Sequence, residues 1–350
     1  GGMGARLVSF RAPAFSSHGL EQGANAPISK RAALGYVLAL NHLLDASGAR
    51  HFRQGIRLAG DTVLVLWTDG PAEESERFLS LVDPTLTELK RWAESSMPVD
   101  TLLRPGARLY GATLSGKEGR AVVRDMLEAQ LAEVVSNVRS FHAQLRLGGA
   151  PSWPVPVWAL LRSLEGRAGR ELSPELATRF ARCILTGEAF PAALLTAALT
   201  RMAGGDEDAL HLETRAGLIR ACLHRSGGAA ASALGDVPGG TLPAPFVLGR
   251  LFAVLEQLDG GSGFRERHFA RCSHTPSLAF PALLQRVASN ARNRRELVAT
   301  RDALVTELLG GTFPGYLNTE GQALVALGYA REAVFQTKSG SAPKRTRSAS

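Results

Sequence analysis

Arg286, Asn290, Arg292, Arg294 and Arg295 have the types and spacing to hold a polyanion. Arg286 and Asn290 are four residues apart on the polar face of a helix predicted over Ser277–Arg292, opposite Leu283, Leu284, Val287 and Ala291. Arg292, Arg294 and Arg295 cluster at its C-terminal end. Guanidinium groups so placed can fork onto phosphate oxygens without reading base sequence. The same cluster has a structural explanation, because cations suit the negative end of a helix dipole. Three smaller sets share this chemistry. Arg120 and Arg124 lie four apart, on one face of a strand or a helix alike. Lys30 and Arg31 open a helix capped by Ser29. Gln22 and Asn25 sit in the loop GLEQGANAP, where amides suit base-edge or minor-groove contacts and equally suit turns.

Catalytic constellations are weaker. The sequence has no CxxC or HExxH, and Cys272 between His268 and His274 lacks a closed set of four metal ligands. SGKEGR at 115–120 departs from the GxxxxGK[ST] spacing of a phosphate loop, and there is neither a GxGxxG nor a GxSxG. Asp61 and Asp69 bracket the run TVLVLW, but two acids make a thin nuclease signal. Glu73, Glu74 and Glu76 read as a solvated helix face. No catalytic residue, metal or cofactor is assigned, and the chain is expected not to be an enzyme.

The elements that carry these residues fall into two styles. The fold class expected is α+β, an N-terminal mixed α/β region followed by a predominantly α-helical bundle region. Strands are predicted at Arg6–Phe10, Thr62–Trp67, Arg108–Leu114 and Gly119–Arg124, the last two around a turn at Ser115–Glu118. Helices are predicted from Ser29 to Asp45, with Leu34, Val37, Leu38 and Leu44 as the apolar stripe, and at Ala72–Leu81 and Thr85–Ser95. From Met126 the signals are helical: Leu127–Leu147, Val157–Leu164, Pro174–Leu185 with Ser173 as N-cap, Pro191–Met202 and Leu210–Arg225. Phe246–Leu258, Ser277–Arg292, Glu296–Leu309 and Glu320–Phe335 complete the chain. The organisation read is 1–125 α+β, 126–226 helical, 227–245 a Gly/Ala/Pro linker, 246–337 a terminal bundle and 338–350 a basic disordered tail.

Composition agrees. Hydrophobic residues make up 45% of the 350 and aromatics only 6%, an Ala/Leu/Val-rich helical profile. The formal charge of +8 favours acidic partners. Three cysteines, Cys183, Cys222 and Cys272, lie far apart, as expected for reduced thiols in a cytoplasmic protein. No apolar run is long enough to span a membrane.

Seven segments, in order, resemble the large subunit of the type I-C CRISPR surveillance complex, Cascade. They are LVSFRAPAFSSHGLEQGANAPISKRAALGYVLALNHLL (Leu7–Leu44), GDTVLVLW (Gly60–Trp67), LYGATLSGKEGRAVVR (Leu109–Arg124), LSPELATRFARCILTGEAFPAALL (Leu172–Leu195), FVLGRLFAVLE (Phe246–Glu256), TPSLAFPALLQ (Thr275–Gln285) and GQALVALGYAREAVF (Gly321–Phe335). Individual words are degenerate; their shared order is specific. Ser115–Gly119 departs from the family's SPNAA-like turn and loses its Asn, while Arg120 and Arg124 remain. Family members extend upstream of the SF strand, so the chain is expected to lack an N-terminal part, GGMGA resembling the tail of a Gly-rich segment.

The resemblance implies a subunit of an RNA-guided antiviral complex that contributes to PAM-proximal DNA binding, stabilises the R-loop and recruits a helicase–nuclease. Its partners would be CRISPR RNA, target double-stranded DNA, the displaced single strand and the other Cascade subunits, with no membrane. The terminal bundle resembles the Cascade small subunit, which type I-C systems also make from an internal start; Met202 is a candidate. The alternatives are a protein-interaction scaffold without DNA contact and, third, a divergent nuclease using Asp61.

Overall fold

Ser29 opens the first described helix, α1 (Lys30–Leu43), its hydroxyl accepting from Ala32 N–H at 3.1 Å. The computed structural model describes residues 18–20, 24, 28–45, 54–85, 87–89, 104–117, 120–146, 155–165, 172–204, 209–227, 242–288, 294–309 and 313–340. The expected strand at Arg6–Phe10, most of the Thr85–Ser95 helix and most of the 227–245 linker lie outside these. The chain divides into two compact units, Gly1–His142 with Trp153–Glu188 and Ala143–Ser152 with Ala189–Ser350. The α+β expectation holds: a small antiparallel sheet lies toward the N-terminus and helices follow. Among the described residues no helix is long and apolar enough to cross a membrane.

The first unit is built on a meander of β1 (Gly55–Arg57), β2 (Val63–Thr68), β3 (Arg108–Lys117) and β4 (Arg120–Gln130), each antiparallel to the next. Val63, Val65 and Leu114 form one apolar patch, on which Leu40 and Leu43 of α1, Leu44 just past its end, and Trp67 pack. Leu34 and Leu38, expected in the inner stripe, are instead 60% and 58% exposed. The helix carries apolar residues on two faces, and periodicity does not say which face the sheet takes.

The β3–β4 hairpin is longer than expected. β4 continues to Gln130, where a helix was expected from Met126. Met, Leu, Glu, Ala and Gln favour helices, but pairing with Arg108–Ala112 overrides that local preference. Helix α3 (Leu131–Gln144) then buries Leu131, Val134, Val135, Val138 and Phe141. Phe141 meets Phe180 edge-on at 6.1 Å. Phe180 belongs to α5 (Pro174–Thr186), where Ser173 is the N-cap, Pro174 fills the first turn and Gly187 closes the end at φ +77. Between them α4 (Val157–Ser163) is capped from a distance, Asp83 Oδ1 accepting from Val157 N–H at 2.9 Å.

His142 couples this unit to pH. Its Nε2 donates to Leu81 O at 3.0 Å, while its buried Nδ1 has no hydrogen-bond partner. Burial pushes the imidazole down to about 4, since protonation would strand a charge there. The unfolded chain takes that proton near 6.5. Stability is therefore complete above about 6.5 and is expected to fall by up to about 3 kcal/mol as pH drops toward 4. His142→Gln should flatten this part of a urea-midpoint against pH curve; an unaltered slope would refute the assignment.

The second unit contains α6 (Ala192–Ala203), α7 (Ala209–Ser226), α8 (Ala244–Asp259), α9 (Phe264–His274), α10 (Pro276–Ala288), α11 (Arg295–Leu309) and α12 (Thr319–Gly340). α8 is its hub: Phe246, Val247, Leu248, Leu251, Phe252, Val254, Leu255 and Leu258 are all buried. α12 crosses α8 where Gly249 faces the backbone of Val325 and Gly328 faces that of Phe246. Residues 338–340, expected in a disordered tail, continue α12; the rest of that tail lies outside the described residues. α9 was not anticipated.

Candidate nucleic-acid interface

The last turn of α8 leaves carbonyl oxygens unpaired by its own helix, a partly negative end. Gly260 closes it in the left-handed region at φ +65, its N–H bonding Glu256 O at 3.0 Å. Two of the arginines expected to bind a polyanion converge there. Arg294 Nη1 donates to Gln257 O, and a Cβ at Gly260 would lie 3.3 Å from Arg294 Nη2. Arg286 Nε donates to Asp259 Oδ1 at 3.2 Å. The helix-end explanation weighed for the arginine cluster thus applies to Arg294 at the end of α8, and Arg286 itself lies in the last turn of α10. Asp259 keeps only 7% of its side chain exposed, whereas Arg286 keeps 52%.

α9 brings two cations the sequence reading missed. Its exposed face carries Arg267 and Arg271, one turn apart, with Arg267 Nη2 donating to Ser262 O at 3.1 Å. His268 sits among them, its ring 4.9 Å from Phe264. Its Nε2 is buried and has no hydrogen-bond partner. Burial, then Arg286, Arg267 and Arg271, hold the imidazole below its usual value, and Asp259 opposes them. Arg267 and Arg271 are exposed on α9, and Arg286 is exposed on α10. Exposed guanidinium groups beside a helix end have the chemistry to meet an anionic partner.

The other candidates are placed differently. Arg295 is exposed at the start of α11. Lys30 and Arg31 are exposed in the first turn of α1, a turn that carries no acid, at the helix end that ordinarily prefers anions. Arg124 is the extra residue of a β-bulge: Thr113 pairs with Asp125 and Leu114 with Val123. The bulge turns consecutive residues toward α5, so Arg124 reaches Glu175 at 2.9 Å and Asp125 receives Arg182 at 2.9 Å. Arg124 Nε also donates to Ser115 Oγ at 2.7 Å. Arg120 starts β4 opposite Lys117. Gln22, Asn25, Asn290 and Arg292 lie outside the described residues.

Asp61 and Asp69 sit at opposite ends of β2. Asp69 accepts from Arg108 N–H at 3.2 Å and from Arg104 at 2.6 Å, and these hold its carboxyl below the usual range. A Cβ at Gly116 would lie 2.4 Å from Asp61 Oδ2. Among the described residues no three His, Cys, Asp or Glu side chains gather as a metal site. All three cysteines are buried thiols, and burial pushes the Cys272 thiol up to about 12, far from a reactive thiolate.

The family model described as CRISPR-associated protein (Cas_Csd1) matches residues 1–334. No curated protein matches the chain.

Proposed function

The chain belongs to the Cas_Csd1 family of CRISPR-associated proteins, Cascade-type subunits, and from that premise we propose that it is the type I-C large subunit and holds target DNA by its backbone. The observation that carries this reading is the exposed pair Arg267 and Arg271, one turn apart on α9, together with exposed Arg286 of α10, which Asp259 holds at the end of α8. In an RNA-guided complex the guide reads sequence by base pairing, and the protein supplies sequence-blind contacts and reads a short flanking motif. The α9–α10 face suits the first of those tasks. Its role is to stabilise the R-loop on the PAM-proximal side; strand cutting belongs to the recruited helicase–nuclease, and this chain performs no catalytic step. CRISPR RNA, target duplex and the other subunits are its partners, in the cytoplasm.

Co-expression with the other type I-C subunits and a CRISPR RNA, followed by size exclusion with and without target DNA, tests the reading. Co-elution that tightens on a PAM-bearing target is the expected result. A folded chain that never co-elutes would overturn it. One observation favours the scaffold reading for part of the molecule: Leu34 and Leu38 stand exposed on α1, as a subunit contact would require. Assembly insensitive to salt, with no DNA retained, would make that reading the whole account.

A further inference from the structure

Tyr316 is 70% exposed although the segment that carries it is tied down on both sides. Leu317 N–H bonds His274 O at 3.0 Å, and Ser277 N–H bonds Pro314 O at 3.1 Å, so the segment runs along the α9–α10 junction. Before Tyr316, Phe313 stacks on Phe280 at 5.7 Å and 7°. After it, Leu317 is buried and Asn318 Oδ1 caps α12 through Gly321 N–H at 2.9 Å. A large ring on so fixed a backbone is held out in water at a hydrophobic cost. Leu278, in the first turn of α10, is 65% exposed beside the same junction.

The anchoring places Tyr316 at the end of the cationic row. Arg267, Arg271 and His274 lie at i, i+4 and i+7 along α9, rising in steps of roughly 6 and 4.5 Å, and His274 is the residue whose carbonyl receives Leu317. An exposed aromatic at the head of a row of guanidinium groups matches what an unpaired strand offers: phosphates in series and uncovered base faces. A duplex offers the phosphates but hides its base faces in the stack.

We propose that Tyr316, flanked by Leu278, is a base-stacking platform for single-stranded DNA whose phosphates lie on Arg267 and Arg271. This rests on the backbone-binding reading above, in which the strand left unpaired is DNA, and adds to it the ring that grips that strand and the row that holds its phosphates.

Fluorescence anisotropy on the assembled complex, with a labelled mixed-sequence DNA single strand, the matching duplex and an RNA oligonucleotide of the same sequence, tests the platform. Tyr316→Ala is expected to weaken single-strand binding by about tenfold or more. Duplex affinity and the salt slope of single-strand binding should stay as they are. Tyr316→Phe and Tyr316→Trp should bind the single strand like the parent. The exposed position makes misfolding a poor explanation, and an unchanged thermal midpoint checks that. Unchanged single-strand affinity in Tyr316→Ala overturns the platform, as do equal losses on strand and duplex. A loss confined to an RNA oligonucleotide overturns the DNA assignment. Failure of Tyr316→Ala to assemble, with the unassembled variant chain binding the single strand as the unassembled parent chain does, overturns it in favour of a protein partner. If the parent complex binds neither DNA form, the backbone-binding reading fails first; if it binds both with a salt slope, a null Tyr316→Ala result sinks the platform alone.

Discussion

Gly328→Ala and Gly249→Ala are each expected to destabilise the helical unit by 3 kcal/mol or more, with the estimate set at about the upper end of measured overpacking costs. A Cβ on Gly328 would lie 1.9 Å from Phe246 O and 2.9 Å from its carbon. One on Gly249 would lie 2.0 Å from Val325 O and 2.7 Å from Tyr329 N. Every clashing atom is backbone, so no rotamer change relieves it, and α8 and α12 must move apart. Separation also strains the polar ties across the crossing: Arg250 to Glu332 at 2.9 Å, and Tyr329, which donates to Glu256 at 2.6 Å and receives Arg265 at 3.0 Å. Gly35→Ala is the control. A Cβ there meets nothing within 4 Å, and the helix interior should gain up to about 1 kcal/mol from the better propensity. Urea denaturation should therefore move in opposite directions for the two classes of substitution. A Gly328→Ala protein as stable as the parent would mean that the helices do not cross this closely.

The second large effect is on DNA. Arg267→Ala with Arg271→Ala should weaken target binding evenly across sequences and lower the slope of log affinity against log salt by about 2, and adding Arg286→Ala by about 3. A loss on the order of 100-fold at moderate salt is expected for the triple variant. The surroundings of His268 supply an independent readout. Burial is the first cause of its lowered proton affinity and stays, but removing the arginines removes the next three causes. An NMR titration of His268 should move partway back toward the ordinary histidine value. Arg286 also partners the nearly buried Asp259, so the triple variant carries a stability cost that the double variant avoids. Unchanged slopes in the double variant would remove α9 from the interface.

What the sequence made legible was local chemistry. Ser29 and the Ser173–Pro174 pair marked helix starts because capping is decided within four residues. TVLVLW marked the central strand because a short continuous β-branched run has few other uses. Long-range decisions were hidden. Met126–Gln130 became strand because β3 was there to pair with it. Leu34 and Leu38 were placed inward because the pattern does not reveal that the sheet takes the Leu40–Leu43–Leu44 side. β1 is three residues, below the length at which alternation can be seen. α9 escaped because RERHFARCSH has few apolar residues; its anchors, Phe264, Phe269 and Cys272, are widely spaced. Arg267 and Arg271 were lost with it, although their four-residue spacing was a signal once the helix was granted. Arg286 and Arg294 were found, but that they meet at the end of α8 depends on a chain reversal no periodicity encodes.

The most direct test of the account compares Cascade assembled with this chain and Cascade assembled without it, measuring equilibrium binding of a PAM-bearing target across a salt series. The account predicts higher affinity and a steeper salt slope when the chain is present, because its guanidinium groups add phosphate contacts. Identical affinity and identical slope in the two assemblies would contradict it.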